Sequence, residues 1–161
     1  MDWVRAQYPH KSKMTEKERD AGLINCAELI GAISLLLTYP DCFAGRQVFL
    51  FQDNSTAFTC MCRGSSSSSA LNYISHVYHL VAAALRMDTW VEWCSTRAML
   101  ADIPSRFDDT KHEHRTRFDS LNLEHRIAVF PTPEQWSDPL TFYHLLRRRH
   151  DFWLISDNAT K

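Results

Sequence analysis

Apolar positions repeat at helical spacing in two long stretches of the chain and crowd into two short ones. From residue 24 to 38, Ala27, Leu29, Ile30, Ala32, Ile33, Leu35, Leu36 and Leu37 are apolar on almost every side. That pattern predicts a helix over Ile24–Thr38 that is buried rather than lying on a surface. Asn25 offers an N-cap with Glu28 three residues on, and Pro40-Asp41 ends the helix. In the second long stretch, Leu71–Met87, the apolar positions Leu71, Ile74, Val77, Tyr78, Val81, Ala84 and Leu85 fall on one side. Ser75, His76, His79 and Arg86 fall mostly on the other, so a second helix is expected.

The short stretches read as strands. Val48-Phe49-Leu50-Phe51 is too short for a helix, is opened by Gly45 and Arg46, and predicts a buried strand over Val48–Gln52. Thr89–Cys94 alternates β-branched and aromatic residues with polar ones, as a half-buried strand does. Ser55–Cys62 is expected to be a short helix, and Gly64 with Ser65–Ser69 a flexible polar loop. Alternating strands and helices point to an α/β layer fold. Residues 1–23 read as a partial strand and a polar loop, 24–106 as the core. The remainder, 107–161, is a charged tail that is irregular over Pro131–Pro139 and carries an amphipathic helix over Leu140–Trp153.

Composition narrows the chemistry. With 161 residues, 45% hydrophobic and 23% charged, the chain can bury one real core with an appendage. A net charge of −1 provides no global field for nucleic acid, so any basic surface must be local. Only four glycines are present, and neither a dinucleotide nor a P-loop glycine pattern can be written. Five cysteines without a framework spacing read as reduced thiols of a cytoplasmic or nuclear protein. No apolar run is long enough to cross a bilayer, and no partner membrane is expected.

Three acids stand out by position. Asp53 follows the apolar strand directly, where open α/β sheets hold their ligands; the same Asp53-Asn54 pair also suits a turn. Glu28 lies in the predicted first turn of a buried helix, where it also suits a capping box with Asn25. Asp102 follows the last strand, where it also suits a helix N-terminus. Carboxylates from three elements around one sheet end are what a two-metal phosphoryl-transfer site needs, because Mg²⁺ prefers oxygen ligands and a few carboxylates.

The segments Ile24-Asn25-Cys26-Ala27-Glu28-Leu29, Phe49-Leu50-Phe51-Gln52-Asp53-Asn54 and Ala101-Asp102-Ile103-Pro104-Ser105-Arg106, in that order, resemble the ribonuclease H domain of retroelement reverse transcriptases. The loop at Gly64-Ser65 before a helix containing Asn72 fits too. The resemblance spans about half of the chain. It implies a ribonuclease H-like three-layer fold, a mixed sheet with helices, and Mg²⁺-dependent (or Mn²⁺-dependent) hydrolysis of the RNA strand of an RNA/DNA hybrid. Glu28, Asp53 and Asp102 would be the catalytic metal-binding acids, with Asn54, Asn72 and Arg106 on the substrate. The family carries a further catalytic Asp on its first strand, and only Asp2 precedes Glu28 by any distance. The chain therefore reads as lacking its first strands. It is expected to be inactive or incomplete in isolation, with the rest of a reverse transcriptase polyprotein as a partner. The alternative is a non-catalytic nucleic-acid or protein interaction module on the same fold.

Other signals carry less. His76 and His79 have a legitimate helical metal spacing, but no third ligand is placed by any pattern. His112-Glu113-His114 lacks the spacing of a zinc protease helix, and Arg147–Arg149 suits a solvated helix face. Trp90 and Trp93 could stack on bases, yet on a strand one or both are expected in the core.

Overall fold

The structure is a computed structural model that describes residues 16–99, 116 and 127–158, and of residues 16–21, 97 and 149–158 only the backbone. The first helix, α1, spans Glu16–Thr38. It begins eight residues before the start that apolar periodicity predicts, because Glu, Lys and Arg in its first turns are good helix formers without being apolar. Asn25 therefore sits inside α1 and is not its N-cap, and Glu28 lies more than three turns in rather than in the first turn. The end is where proline demands it. Tyr39 N–H still bonds the Leu35 carbonyl, and Pro40 opens the single turn α2 (Pro40–Phe43).

Strands β1 (Gln47–Gln52) and β2 (Asp88–Trp93) pair in parallel, with Phe49 beside Trp90 and Gln52 beside Trp93. A parallel pair needs a long crossover. Here it is made of α3 (Ser55–Arg63) and α4 (Ser69–Ala84). Left-handed Gly64 (φ 66°) ends α3, its N–H bonding the Cys60 carbonyl. The end of α4 is a Schellman turn: Met87 N–H bonds the Ala82 carbonyl and Arg86 N–H that of Ala83. The left-handed position in that turn is held by Arg86 (φ 51°) where glycine is usual.

The core lies between α1, α3, α4 and one face of the sheet. Leu29, Ile33 and Leu36 of α1 meet Ala57 and Met61 of α3 and Ile74, Val77 and Val81 of α4, all buried. Val48, Leu50 and Val91 pack onto this cluster from the sheet. Ser75, fully buried, donates to the Cys60 carbonyl at 2.8 Å, so its hydroxyl costs little there.

Two expectations about burial are corrected. The apolar surround of α1 is covered on one side only, and Ile24, Ala27, Gly31 and Leu35 are exposed along the other. Strand β1 is likewise buried on one face, leaving Phe49 and Phe51 67% and 60% exposed. Continuous apolar character tells how much a segment could bury, not how many neighbours arrive to cover it.

Toward the C-terminus, α5 (Pro133–Ser137) forms inside the stretch expected to be irregular. Thr132 and Gln135 cap it reciprocally, a signal weaker than its flanking prolines. Helix α6 (Pro139–Asn158) follows and packs on α4. Phe142 of α6 is buried in the main core, and the Tyr73 hydroxyl of α4 donates to the Trp136 carbonyl of α5. The described chain is thus mixed α/β, mostly helical, with a small two-stranded parallel sheet.

Candidate functional site

The parallel register fixes which end of the sheet can do chemistry. Both strands run the same way, so Asp53 after β1 and Cys94 after β2 leave from one rim. Cys94 N–H bonds the Gln52 carbonyl at 3.1 Å, extending the ladder to that rim. Buried Gln52 turns its side-chain oxygen to the Asn54 N–H at 3.2 Å, which fixes the path of the chain around Asp53.

Asn54 is the anchor of this end. Its side-chain oxygen caps α3 by accepting from Thr56 N–H (3.0 Å) and Ala57 N–H (3.1 Å). Its amide nitrogen donates to the Asn25 side-chain oxygen at 2.8 Å, across 29 residues of sequence. One amide therefore ties α1, β1 and α3 together. Glu28 follows Asn25 by nearly one helical turn, exposed on the flank of α1 beside that tie. Asp53 is half-buried at the strand end, and among the described residues its carboxylate makes no hydrogen bond or ion pair.

The chain leaving β2 passes through Ser95 into a 3-10 turn (Thr96–Ala98) and on toward residue 102. Asp102 and Arg106 themselves lie outside the described residues. Asn72 is half-buried near the start of α4, where its side-chain oxygen accepts from Ser66 N–H at 3.1 Å and pins the serine loop. Two of the three expected carboxylates, Glu28 and Asp53, are thus on elements joined at one rim. Among the described residues no three His, Cys, Asp or Glu side chains form a metal-holding group.

No protein-family model, curated protein or solved structure matches the chain.

Sequence reasoning missed two features of this part of the molecule. Asn25 reads as a cap and is instead the partner of Asn54; a polar residue within an apolar helix was the available signal. The tryptophans expected in the core are outside it, Trp90 62% and Trp93 50% exposed. Trp90 donates its indole N–H to Glu92 at 3.2 Å, and with Phe49 it shares the sheet face turned away from the helices. Parallel sheets are normally covered on both faces, so this aromatic surface is the unusual feature of the fold.

Proposed function

We propose that the chain is a retroelement-derived domain of ribonuclease H-like, three-layer type, acting with Mg²⁺ or Mn²⁺ on the RNA strand of RNA/DNA hybrids. The observation that supports this reading is the shared rim: Asp53 ends β1, the chain toward Asp102 leaves parallel β2 beside it, and the Asn25–Asn54 bond docks the Glu28 helix at the same end. In this reading Glu28, Asp53 and Asp102 hold the metal ions. A half-buried carboxylate without a partner among the described residues, as Asp53 is, suits a cation ligand. When bound, such ions activate water and stabilise the departing oxygen of a phosphodiester. The protein's own part is to hold Asp53 at a rigid strand end and Glu28 on the helix docked beside it. Gln52 and Asn54 fix the backbone on either side of Asp53, and Asn72 keeps the serine loop in place. Arg106 belongs to the same reading as a contact to substrate phosphate, and the cytoplasm or nucleus as the compartment.

In this reading the partner is the rest of a reverse transcriptase polyprotein. The test is cleavage of a hybrid labelled on its RNA strand, by the chain together with such a polyprotein. Mg²⁺-dependent cleavage lost on Asp53→Asn is expected; no metal-dependent cleavage favours the second reading.

That second reading is an interaction module without catalysis, and the exposed Phe49, Phe51, Trp90 and Trp93 favour it. It predicts that Phe51→Ser with Trp90→Ser removes binding to nucleic acid or protein while leaving the far-ultraviolet circular dichroism spectrum unchanged. Among the described residues no helix is long and apolar enough to cross a membrane.

A further inference from the structure

Strand β1 has one edge that no other strand covers among the described residues. Its ladder to β2 runs from the Arg46 carbonyl, which accepts from Asp88 N–H, to the Gln52 carbonyl, which accepts from Cys94 N–H. The parallel register is one-to-one between these bonds, so Arg46, Val48, Leu50 and Gln52 direct their backbone groups to β2. Gln47, Phe49 and Phe51 turn theirs the other way, and among the described residues no backbone group bonds them there. Such a row of N–H and C=O groups is a template for a further strand.

The two outer edges of the sheet differ in what they would do to an arriving strand. Strand β2 carries Asp88 and Glu92, charges of the kind that keep natural edges apart. Strand β1, Gln47-Val48-Phe49-Leu50-Phe51-Gln52, has no charge, no proline and no glycine. Strand-forming sequence with nothing to repel a copy of itself pairs readily. The residues that present the free backbone groups also carry exposed side chains, with Phe49 and Phe51 standing beside Trp90 on the face away from the helices. A strand added at this edge gains backbone bonds and aromatic contact together.

We propose that this edge joins two copies of the chain, β1 pairing antiparallel with β1 of the second copy about a two-fold axis at Phe49. An edge that meets itself under two-fold symmetry runs antiparallel. Phe49 then lies opposite Phe49 of the second copy and Gln47 opposite Phe51, each pair exchanging both N–H···O bonds. Centring the axis on Phe49 uses all three free residues, whereas moving it one position on would set Asp53 against Gln47. The phenylalanines of both copies form one aromatic strip across a sheet ordered β2-β1-β1-β2. A neutral edge has no charge to select a strand of a given sign, and its central residue matches itself, which is why the occupant is a second copy. Growth stops at the pair, because the edges left over are those of β2 with Asp88 and Glu92. The contact is small beside the roughly 1,600 Å² of a stable complex, so single chains and pairs interconvert with a dissociation constant on the order of 10 µM. None of Glu28, Asp53 and Asp102 takes part, so the pairing and the metal-binding reading stand or fall separately.

Sedimentation velocity on the full chain, from about 1 µM to about 300 µM, brackets that constant and should show monomers passing into dimers and nothing larger. Amide exchange at the two ends of this range should slow with concentration at Gln47, Phe49 and Phe51 and stay constant at Thr89, Val91 and Trp93 of β2. Phe49→Lys sets like charges against each other at the axis and should weaken association by more than about tenfold. The far-ultraviolet circular dichroism spectrum should not change, because the replaced side chain is exposed. Phe49→Glu alone should do the same, and an equimolar mixture of the two variants should recover dimers. A monomer at every concentration overturns the proposal, and so does unchanged association of Phe49→Lys. Species larger than a dimer, a mixture that stays monomeric, or exchange that slows equally in β2 would each overturn it too.

Discussion

At the scale of single residues, two side chains set the local geometry and each makes a measurable claim. Arg86 holds a left-handed backbone in the Schellman turn between α4 and β2. A non-glycine residue there carries a steric cost that glycine avoids, while glycine loses more entropy on folding. Arg86→Gly is expected to stabilise the chain by about 0.5–1 kcal/mol, read as a raised urea midpoint with an unchanged denaturant slope. Asn54 works in the opposite direction. Asn54→Ala removes the cap of α3 and leaves Asn25 without its partner, so a loss of about 1–2 kcal/mol is expected by the same measurement. Asn54→Asp keeps the cap acceptor and loses only the donor to Asn25, and should fall between them.

His79 is a titrating group that ties stability to pH in the neutral range. Its folded pKa lies below its ordinary 6.5, chiefly through burial. The unfolded chain therefore binds a proton first as the pH drops. The stability that the neutral ring contributes is complete above about 6.5 and is lost as the pH falls through the folded value. Denaturation midpoints taken between pH 7.5 and 5 should decline less steeply in His79→Gln than in the parent chain.

At the scale of elements, β1, α4 and β2 were legible from apolar patterning, because each buries a stripe, and the end of α1 from Pro40. What escaped was built from other terms. The first turns of α1 rest on the helix propensity of charged residues, and α5 on a capping box between prolines. The side of each element that stays uncovered was not legible either. Phe49 and Leu50 are equally apolar in sequence, yet only Leu50 meets the helices. The candidate site was readable in part: Asp53 at a strand end and Glu28 on a helix stand out by position, whereas the Asn25–Asn54 bond joining their elements depends on tertiary approach across 29 residues.

The docking of α6 also belongs to this scale. Phe142 is 4% exposed against the core, and truncating so buried an aromatic typically costs about 3 kcal/mol or more. Phe142→Ala is expected to speed amide hydrogen exchange throughout α5 and the described start of α6 far more than in α1. Equal acceleration in both would mean that the C-terminal helices and the core open as one unit.

At the scale of the whole molecule, helices cover one face of a two-stranded parallel sheet while the other carries Phe49, Phe51 and Trp90 toward solvent. A sheet so small is marginal by itself, and its crossover helices provide most of the buried apolar contact. Its parallel direction nonetheless has a consequence for function, since everything that follows either strand begins at the same rim. The proposed metal site depends on that arrangement more than on any single acid. The most direct test is a thermal titration of the chain with Mn²⁺, run beside Asp53→Asn. A ligand that binds only the folded form raises the melting temperature, and the rise grows logarithmically with ligand concentration above its dissociation constant. The account predicts a rise of several degrees in the parent chain and none in Asp53→Asn; an equal rise in both, or no rise in either, contradicts it.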